Sequence, residues 1–134
     1  MKIAVDTNIL IHCLIDDHPE QTAAARKLAL SAQLLVISLP TLCEVVRVLA
    51  SGYKLAKNKI ADALEMLIDS DNVKVDRSAV ALGLDVLRAG GDFADGVIAY
   101  AGVSDGGEVF ATFDKKAAAL VKKYGHIETR LISA

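Results

Sequence analysis

The sequence predicts an α/β protein, a three-layer α/β/α sandwich around a mainly parallel sheet. Short apolar runs alternate with helix-like stretches along the whole chain, and parallel strands need a crossover connection, usually a helix, between them. No linker, repeat or low-complexity segment interrupts this alternation. A chain of 134 residues also suits one hydrophobic core. We therefore expect a single domain that spans residues 1–134.

The first strand and helix set the pattern for the rest of the chain. Residues 3–5 are an apolar run without a turn residue, which is typical of a strand buried on both faces of a parallel sheet. The run ends in Asp6, Thr7 and Asn8, and residues 9–15 then predict a helix. Residues 20–32, rich in Ala and Leu, predict a second helix just after Pro19.

A strand at residues 34–38 leads into an amphipathic helix that is expected to begin at Thr41 and to end at Gly52. Four apolar residues follow the i, i+3, i+4, i+7 spacing of one helix face: Leu42, Val45, Val46 and Leu49. Together with Val48, this apolar surface covers much of the helix circumference. Such a helix lies either inside the core or at an interface.

The remaining elements continue the alternation. Helices are predicted at residues 57–69, 78–89, 92–103 and 115–124, and strands at 73–75, 109–112 and 130–132. Gly90-Gly91, the turn Asp105-Gly106-Gly107 and Gly125 separate the later elements.

Composition excludes several classes of protein. Hydrophobic residues make up 53% of the chain and aromatic residues only 4%, so the core must consist of Ala, Val, Leu and Ile. No apolar run is long enough to span a bilayer, and the first residues do not resemble a signal peptide, so we expect a cytoplasmic protein with no membrane contact. Cys13 and Cys43 have no partner spacing for a zinc site and are expected to be buried free thiols. The net charge of −2 means that nucleic acid binding would need a local basic patch.

Four acidic residues occupy strand ends or helix starts, and these places lie at one edge of a parallel sheet, where α/β proteins bind ligands. They are Asp6 after the first strand, Glu44 in the first turn of the helix after the second strand, Asp95 in the first turn of the helix after Gly90-Gly91, and Asp114 after the strand at 109–112. Each has a simpler interpretation. Asp6 and Asp114 can be helix N-caps, Asp95 can form a capping box with Asp92, and Glu44 can interact with the amides at the helix start.

Together, the four carboxylates favour a metal site. Clustered carboxylates raise one another's pKa unless a cation lies among them. An all-oxygen ligand set suits Mg²⁺ or Mn²⁺, which substrate phosphate can complete.

The acidic motifs resemble those of the PIN domain family. The resemblance rests on V-D-T-N at residues 5–8, the Glu of L-C-E-V-V-R-V-L, D-F-A-D-G-V-I-A at 92–99 and T-F-D at 112–114. These motifs stand in the family's order over nearly the whole chain. Chain length and motif spacing are most similar to VapC, the toxin of type II toxin–antitoxin pairs.

This resemblance implies a metal-dependent endoribonuclease with the four acids at its catalytic site. Asp6, Asp95 and Asp114 would bind Mg²⁺ or Mn²⁺, and Glu44 would hold or deprotonate the attacking water. Three residues match supporting positions: Asn8, Thr112 and, less closely, Asp92. The helix of the third acid usually has Ala where this chain has Gly96, a change expected only to weaken the helix slightly.

The resemblance also implies partners. A cognate antitoxin protein and a homodimer are expected, and the wide apolar surface around Val45 is consistent with either an interface or plain core burial. An acidic site repels RNA, so basic residues must hold its backbone. The candidates for RNA binding are Arg47, Lys54, Lys57, Lys115 and Lys116. The three histidines have no spacing that suggests catalysis.

Three other interpretations stay open. A strand followed by Asp also begins phosphoaspartyl-type phosphatases, although those normally carry a second Asp where this chain has Asn8. A catalytically inactive PIN-fold binding module would keep the same motifs. The same chemistry would also cleave DNA.

Overall fold

The apolar runs form strands, and the stretches of helical periodicity form helices, close to where the sequence predicts them. A computed structural model describes residues 1–134 and divides them into two compact units, Met1–Val75 and Asp76–Ala134. All strand pairs within both units are parallel.

The first unit contains a three-stranded sheet in the order β1-β2-β3. Its elements are β1 (Lys2–Ala4), α1 (Thr7–Leu14), α2 (Pro19–Ser31), β2 (Leu34–Val36), α3 (Leu39–Arg47), a π-helical turn (Val48–Gly52), α4 (Lys57–Ile68) and β3 (Val73–Lys74). Leu35 of the central strand is 1% exposed and pairs with Ile3 on one side and Val73 on the other. Helices connect each pair of strands, as parallel pairing requires.

The first strand is less buried than its apolar run predicts. Ala4 is exposed and Ile3 is half-buried. In this sheet β1 is an edge strand with β2 as its only hydrogen-bonded neighbour, so its side chains are less covered than those of the central strand. The expectation of a strand buried on both faces is therefore wrong.

Helix α3 begins two residues earlier than predicted. The Ser38 hydroxyl accepts a hydrogen bond from the amide of Thr41 at 3.3 Å and caps the helix, and Pro40 lies inside its first turn. Glu44 is consequently the sixth residue of α3 and lies in the second turn, so its predicted place in the first turn is wrong. The helix passes into the π-helical turn, which ends at Gly52 as predicted.

The wide apolar surface of α3 is explained by burial within the chain. Val45 and Leu49 are completely buried and Val46 is 5% exposed. These residues belong to the core, so they give no support for a dimer, which stays a prediction.

The second unit pairs two strands and packs three helices. Its elements are α5 (Arg77–Arg88), α6 (Phe93–Ser104), β4 (Phe110–Thr112), α7 (Lys115–Gly125) and β5 (Thr129–Leu131). Ala111 of β4 pairs with Arg130 of β5. Buried residues from three helices form its core: Leu82, Val86, Ala99 and Val121.

Two glycines let α5 and α6 pack with their backbones close together. A Cβ atom at Gly96 would lie 2.8 Å from the Gly83 Cα and 2.8 Å from the Leu82 carbonyl oxygen. Real Cβ atoms do not approach backbone atoms so closely, and a packed backbone cannot easily give way. Gly96 is therefore required by helix packing, and the expectation that it only weakens the helix is wrong.

No helix in either unit combines the length and the apolar character needed to cross a bilayer.

Candidate active site

Asp6 stands at the junction of β1 and α1, where the strand ends and the chain turns into the helix. Its Oδ1 accepts a hydrogen bond from the amide of Ile9 at 3.1 Å, so Asp6 is the N-cap of α1. Asp6 and Asn8 are both exposed. Capping occupies one carboxylate oxygen and leaves Oδ2 for another ligand, so the capping and metal-binding interpretations of Asp6 are compatible.

Glu44 forms an ion pair with Arg47 in the second turn of α3. An Arg47 Nη donates to Glu44 Oε1 at 2.6 Å, an i, i+3 pair in which both side chains are substantially exposed. Glu44 is too far along α3 to interact with the free amides at the helix start, which removes that simpler interpretation. Arg47, a predicted RNA-binding residue, is instead engaged with a predicted catalytic acid.

In the second unit, three carboxylates act on one another. Burial raises the pKa of Asp95, and the negative charges of Asp92 and then Asp114 raise it further. Asp95 lies in the first turn of α6, Asp92 is the N-cap of α6, and Asp114 is the N-cap of α7. The starts of these two helices therefore place three acids within electrostatic range, as the sequence predicts for Asp95 and Asp114.

Hydrogen bonds fix the corner between β4 and α7. The Thr112 hydroxyl oxygen accepts from the amide of Asp114 at 3.0 Å, and Asp114 Oδ1 accepts from the amide of Ala117 at 2.9 Å. Thr112 thus holds the backbone of Asp114. Asp92 likewise caps its helix through one carboxylate oxygen, because its Oδ1 accepts a hydrogen bond from the amide of Ala94 at 3.1 Å.

The predicted basic residues have different surroundings. Lys115 is exposed at the first position of α7. The Lys116 ammonium lies beside the turn before α6, 3.2 Å from where a Cβ at Gly90 would stand. Lys54 has a left-handed backbone conformation with φ of 56°, and Lys57 begins α4.

The acids suit a hard divalent cation by their chemistry. Within neither unit does a group of three or more His, Cys, Asp or Glu side chains come close enough together to enclose a metal ion. However, the donors are oxygens only, and the pKa of Asp95 is raised by burial and further by repulsion from Asp92 and Asp114. A bound cation would relieve that repulsion, so the residues present fit Mg²⁺ or Mn²⁺.

Comparison with known families agrees with this chemistry. A model of the PIN domain matches residues 3–123. The chain belongs to the PIN domain family. None of the curated proteins compared with the chain is significantly similar to it.

Membership of the PIN family confirms the predicted fold class, which the parallel strands and connecting helices of both units also bear out. The matched segment includes all four acidic motifs. PIN domains are usually metal-dependent nucleases, so the family supports a nuclease as the general activity.

The sequence analysis missed a polar cluster in the first unit. His12 Nδ1 lies 3.8 Å from Asp17 Oδ1 and has no hydrogen-bond partner, and the Tyr53 hydroxyl donates to Asp17 Oδ2 at 2.8 Å. This hydrogen bond raises the pKa of Tyr53. Asp17 and Tyr53 are 36 residues apart, so no local spacing could reveal their contact.

Proposed function

We propose that this PIN domain is a Mg²⁺- or Mn²⁺-dependent endoribonuclease of the VapC-like toxin type. The observation that carries the proposal is the raised pKa of Asp95, which is caused first by burial and then by the negative charges of Asp92 and Asp114. Acids that only cap helices need not act on one another, since each cap works alone. A divalent cation bound beside these acids would offset the repulsion between their charges.

The proposed ligands of the metal are Asp6, Asp95 and Asp114. When bound, Mg²⁺ or Mn²⁺ lowers the pKa of a water molecule and neutralises charge on the phosphate oxygens. Asp6 and Asp114 each use one carboxylate oxygen as a helix cap, which fixes the direction of the other. The caps therefore orient these side chains and lower the entropic cost of ligation.

The remaining polar residues have supporting roles. Glu44 holds the attacking water and accepts its proton, and Arg47 orients the Glu44 carboxylate through their ion pair. Asn8 steadies Asp6, Thr112 positions the backbone of Asp114, and Asp92 adds negative charge beside Asp95.

RNA would be held through its phosphates. Lys115 and Lys116 at the start of α7 are the best-placed cations, because they follow Asp114 directly. Lys54 and Lys57 would contribute from the first unit, whereas Arg47 is engaged in its ion pair with Glu44. Contacts of this kind fix the position of the backbone without reading the base sequence.

An antitoxin partner and a homodimer complete the proposal. The first unit has a cavity of about 250 Å³ with a mainly apolar lining that includes Cys13, Leu30 and Leu67 beside Arg26. Leu30 is 85% exposed, so an apolar segment of a partner has a surface to cover there. Val45, whose apolar surroundings the sequence left open as an interface, is completely buried and cannot touch a partner.

The deciding experiment is a cleavage assay on labelled RNA and on DNA of the same sequence. We expect the RNA to be hydrolysed with Mg²⁺ or Mn²⁺, and Asp6→Asn to abolish hydrolysis while the protein stays folded. Full activity in excess EDTA would refute the metal mechanism. Cleavage of DNA alone, hydrolysis of phosphomonoesters alone, or RNA binding without cleavage would instead support the deoxyribonuclease, the phosphatase or the inactive binding module.

A further inference from the structure

Phe113 is an exposed aromatic side chain next to the candidate active site. The chain has three phenylalanines: Phe93 is completely buried, Phe110 packs against the core of the second unit, and Phe113 is 72% exposed. Single exposed apolar residues are common on protein surfaces. Phe113 differs from most of them because it stands between Thr112 and Asp114, two residues of the proposed site.

The backbone that carries Phe113 is held on both sides. The amide of Asp114 donates to the Thr112 hydroxyl, and the amide of Ala117 donates to the Asp114 carboxylate. The ring therefore projects from a corner with a defined shape. A side chain on such a support loses less conformational freedom when a ligand packs on it.

The residues around Phe113 carry the charges that a nucleic acid backbone needs. Lys115 and Lys116 follow within three residues, and Lys116 extends toward Gly90 at the turn before α6. An aromatic ring beside cations is the combination that binds single-stranded nucleic acid, because bases stack on the ring while phosphates pair with the cations.

We propose that Phe113 is a stacking platform for an unpaired base of the RNA substrate, next to the bond that is cleaved. This inference rests on the proposed ribonuclease function and specifies its substrate as single-stranded RNA or a loop. A base within a duplex has both faces covered by its neighbours, whereas an unpaired base offers a face to an aromatic side chain. Since every base has such a face, Phe113 selects unpaired RNA rather than a particular base.

The test compares steady-state cleavage of a short single-stranded RNA by the wild-type protein, Phe113→Ala and Phe113→Trp. A stacked base contributes about 1–3 kcal/mol, so Phe113→Ala should raise KM about 5- to 150-fold, with a smaller effect on kcat. Phe113→Trp should restore KM, because its ring also stacks. Tyr124→Ala is the matched control, since Tyr124 is an exposed aromatic residue at the other end of α7 and should leave KM unchanged.

A second set of substrates tests the base itself. The series consists of RNAs that each lack the base of one nucleotide. At one position near the cleaved bond, loss of the base should raise KM for the wild-type protein but not for Phe113→Ala. The same RNA annealed to its complement should be cleaved poorly by both proteins.

The outcomes separate this inference from the function it rests on. If the wild-type protein cleaves RNA but Phe113→Ala has the same KM and the abasic series shows no difference, the inference is overturned and the ribonuclease stands. If Phe113→Ala keeps its KM for RNA but loses self-association, Phe113 is a protein contact and the inference is likewise overturned. If the wild-type protein cleaves no RNA with Mg²⁺ or Mn²⁺, both the ribonuclease function and the stacking role of Phe113 are refuted.

Discussion

At the scale of single residues, helix capping and the proposed metal binding are compatible in the same acids. Asp6, Asp92 and Asp114 are helix N-caps, as the simpler interpretation of the sequence holds, and each cap uses one carboxylate oxygen. A cap and a ligand need the same thing, a carboxylate fixed at the end of a strand or the start of a helix. The cap motif can therefore be predicted from the sequence, but whether the second oxygen binds a metal depends on which acids the fold brings together.

The first prediction concerns the ionisation of Asp95. Folding raises its pKa, through burial and then through Asp92 and Asp114. The resulting stabilisation is fully present below the unfolded pKa and is lost as the pH rises through the folded pKa, so at neutral pH the ionised Asp95 destabilises the fold. Asp95→Asn should raise Tm at pH 7 without divalent metal, and the difference should vanish near pH 3, where the Asp95 carboxyl is protonated.

Thermal unfolding from pH 3 to pH 8 checks this. Asp76→Asn is the control, because Asp76 caps α5 and Asn caps a helix about as well as Asp does. Adding Mg²⁺ should raise Tm of the wild-type protein more than that of Asp95→Asn. A large fall in Tm for Asp95→Asn at pH 7 would mean that this carboxylate is structural.

A second prediction separates the chemistry of Glu44 from its contribution to stability. Its exposed ion pair with Arg47 should contribute no more than about 1 kcal/mol. Glu44→Gln should therefore shift Tm only slightly but reduce kcat for RNA strongly, since the amide cannot accept the proton of the attacking water. Glu20→Gln, an exposed acid at the start of α2, should retain full activity. Equal activity of the two variants would exclude Glu44 from catalysis.

At the scale of elements, helix packing depends on contacts that the local pattern does not contain. Gly83 and Gly96 are 13 residues apart, and each looks like a weak point in its own helix. The structure shows that Gly96 sits on the backbone of α5. Periodicity places both helices correctly, but it cannot show which residues lie where two backbones approach.

The third prediction tests this packing. Gly96→Ala should destabilise the protein by roughly 1–3 kcal/mol, because overpacking outweighs the gain in helix propensity. This corresponds to about 4 °C in Tm for each kcal/mol. Gly102→Ala is the matched control on the same helix, where a Cβ would meet nothing within 4 Å. It should leave Tm unchanged or raise it. A stabilised Gly96→Ala would mean that α5 and α6 can move apart at little cost.

The errors in the predicted helix boundaries also arise from contacts that the local pattern does not contain. The sequence predicted α4 and α7 within one residue at each end, because their apolar periodicity and flanking turn residues agree. It placed the start of α3 at Thr41 because Pro40 was assumed to precede the helix. The structure includes Pro40 in the first turn with Ser38 as the cap, which moves Glu44 into the second turn.

At the scale of the whole molecule, the alternation of strands and helices was enough to predict an α/β fold, and the PIN family match over residues 3–123 agrees. Partners are harder to predict, because a wide apolar helix surface is the same signal for a core and for an interface. The burial of Val45 and Leu49 decided that case for the core. Leu30 and Met66, which are 85% and 77% exposed, carried no special pattern and are now better candidates for partner contacts.

The last prediction concerns how an antitoxin would silence the enzyme. Asp92 and Asp114 add to the effect of burial on the pKa of Asp95, and acids whose negative charges act on one another attract a cation. Arg binds a carboxylate through two parallel hydrogen bonds. We expect the antitoxin to place an Arg or Lys near the proposed metal ligands while an apolar segment covers Leu30 and its cavity. Removing that basic residue should therefore weaken inhibition and make binding less sensitive to salt, since apolar contacts are not screened.

The complementary experiment substitutes a residue of this protein rather than of the antitoxin. Leu30→Glu should weaken antitoxin binding without lowering RNA cleavage, because Leu30 is exposed and belongs to none of the proposed catalytic groups. Binding of the protein encoded by the neighbouring gene, measured at low and high salt for the wild-type protein, Asp95→Asn and Leu30→Glu, separates the two contributions. Asp95→Asn should lose mainly the salt-sensitive part and Leu30→Glu the salt-insensitive part. Unchanged inhibition by an antitoxin that lacks its basic residue would show that steric occlusion alone silences the site.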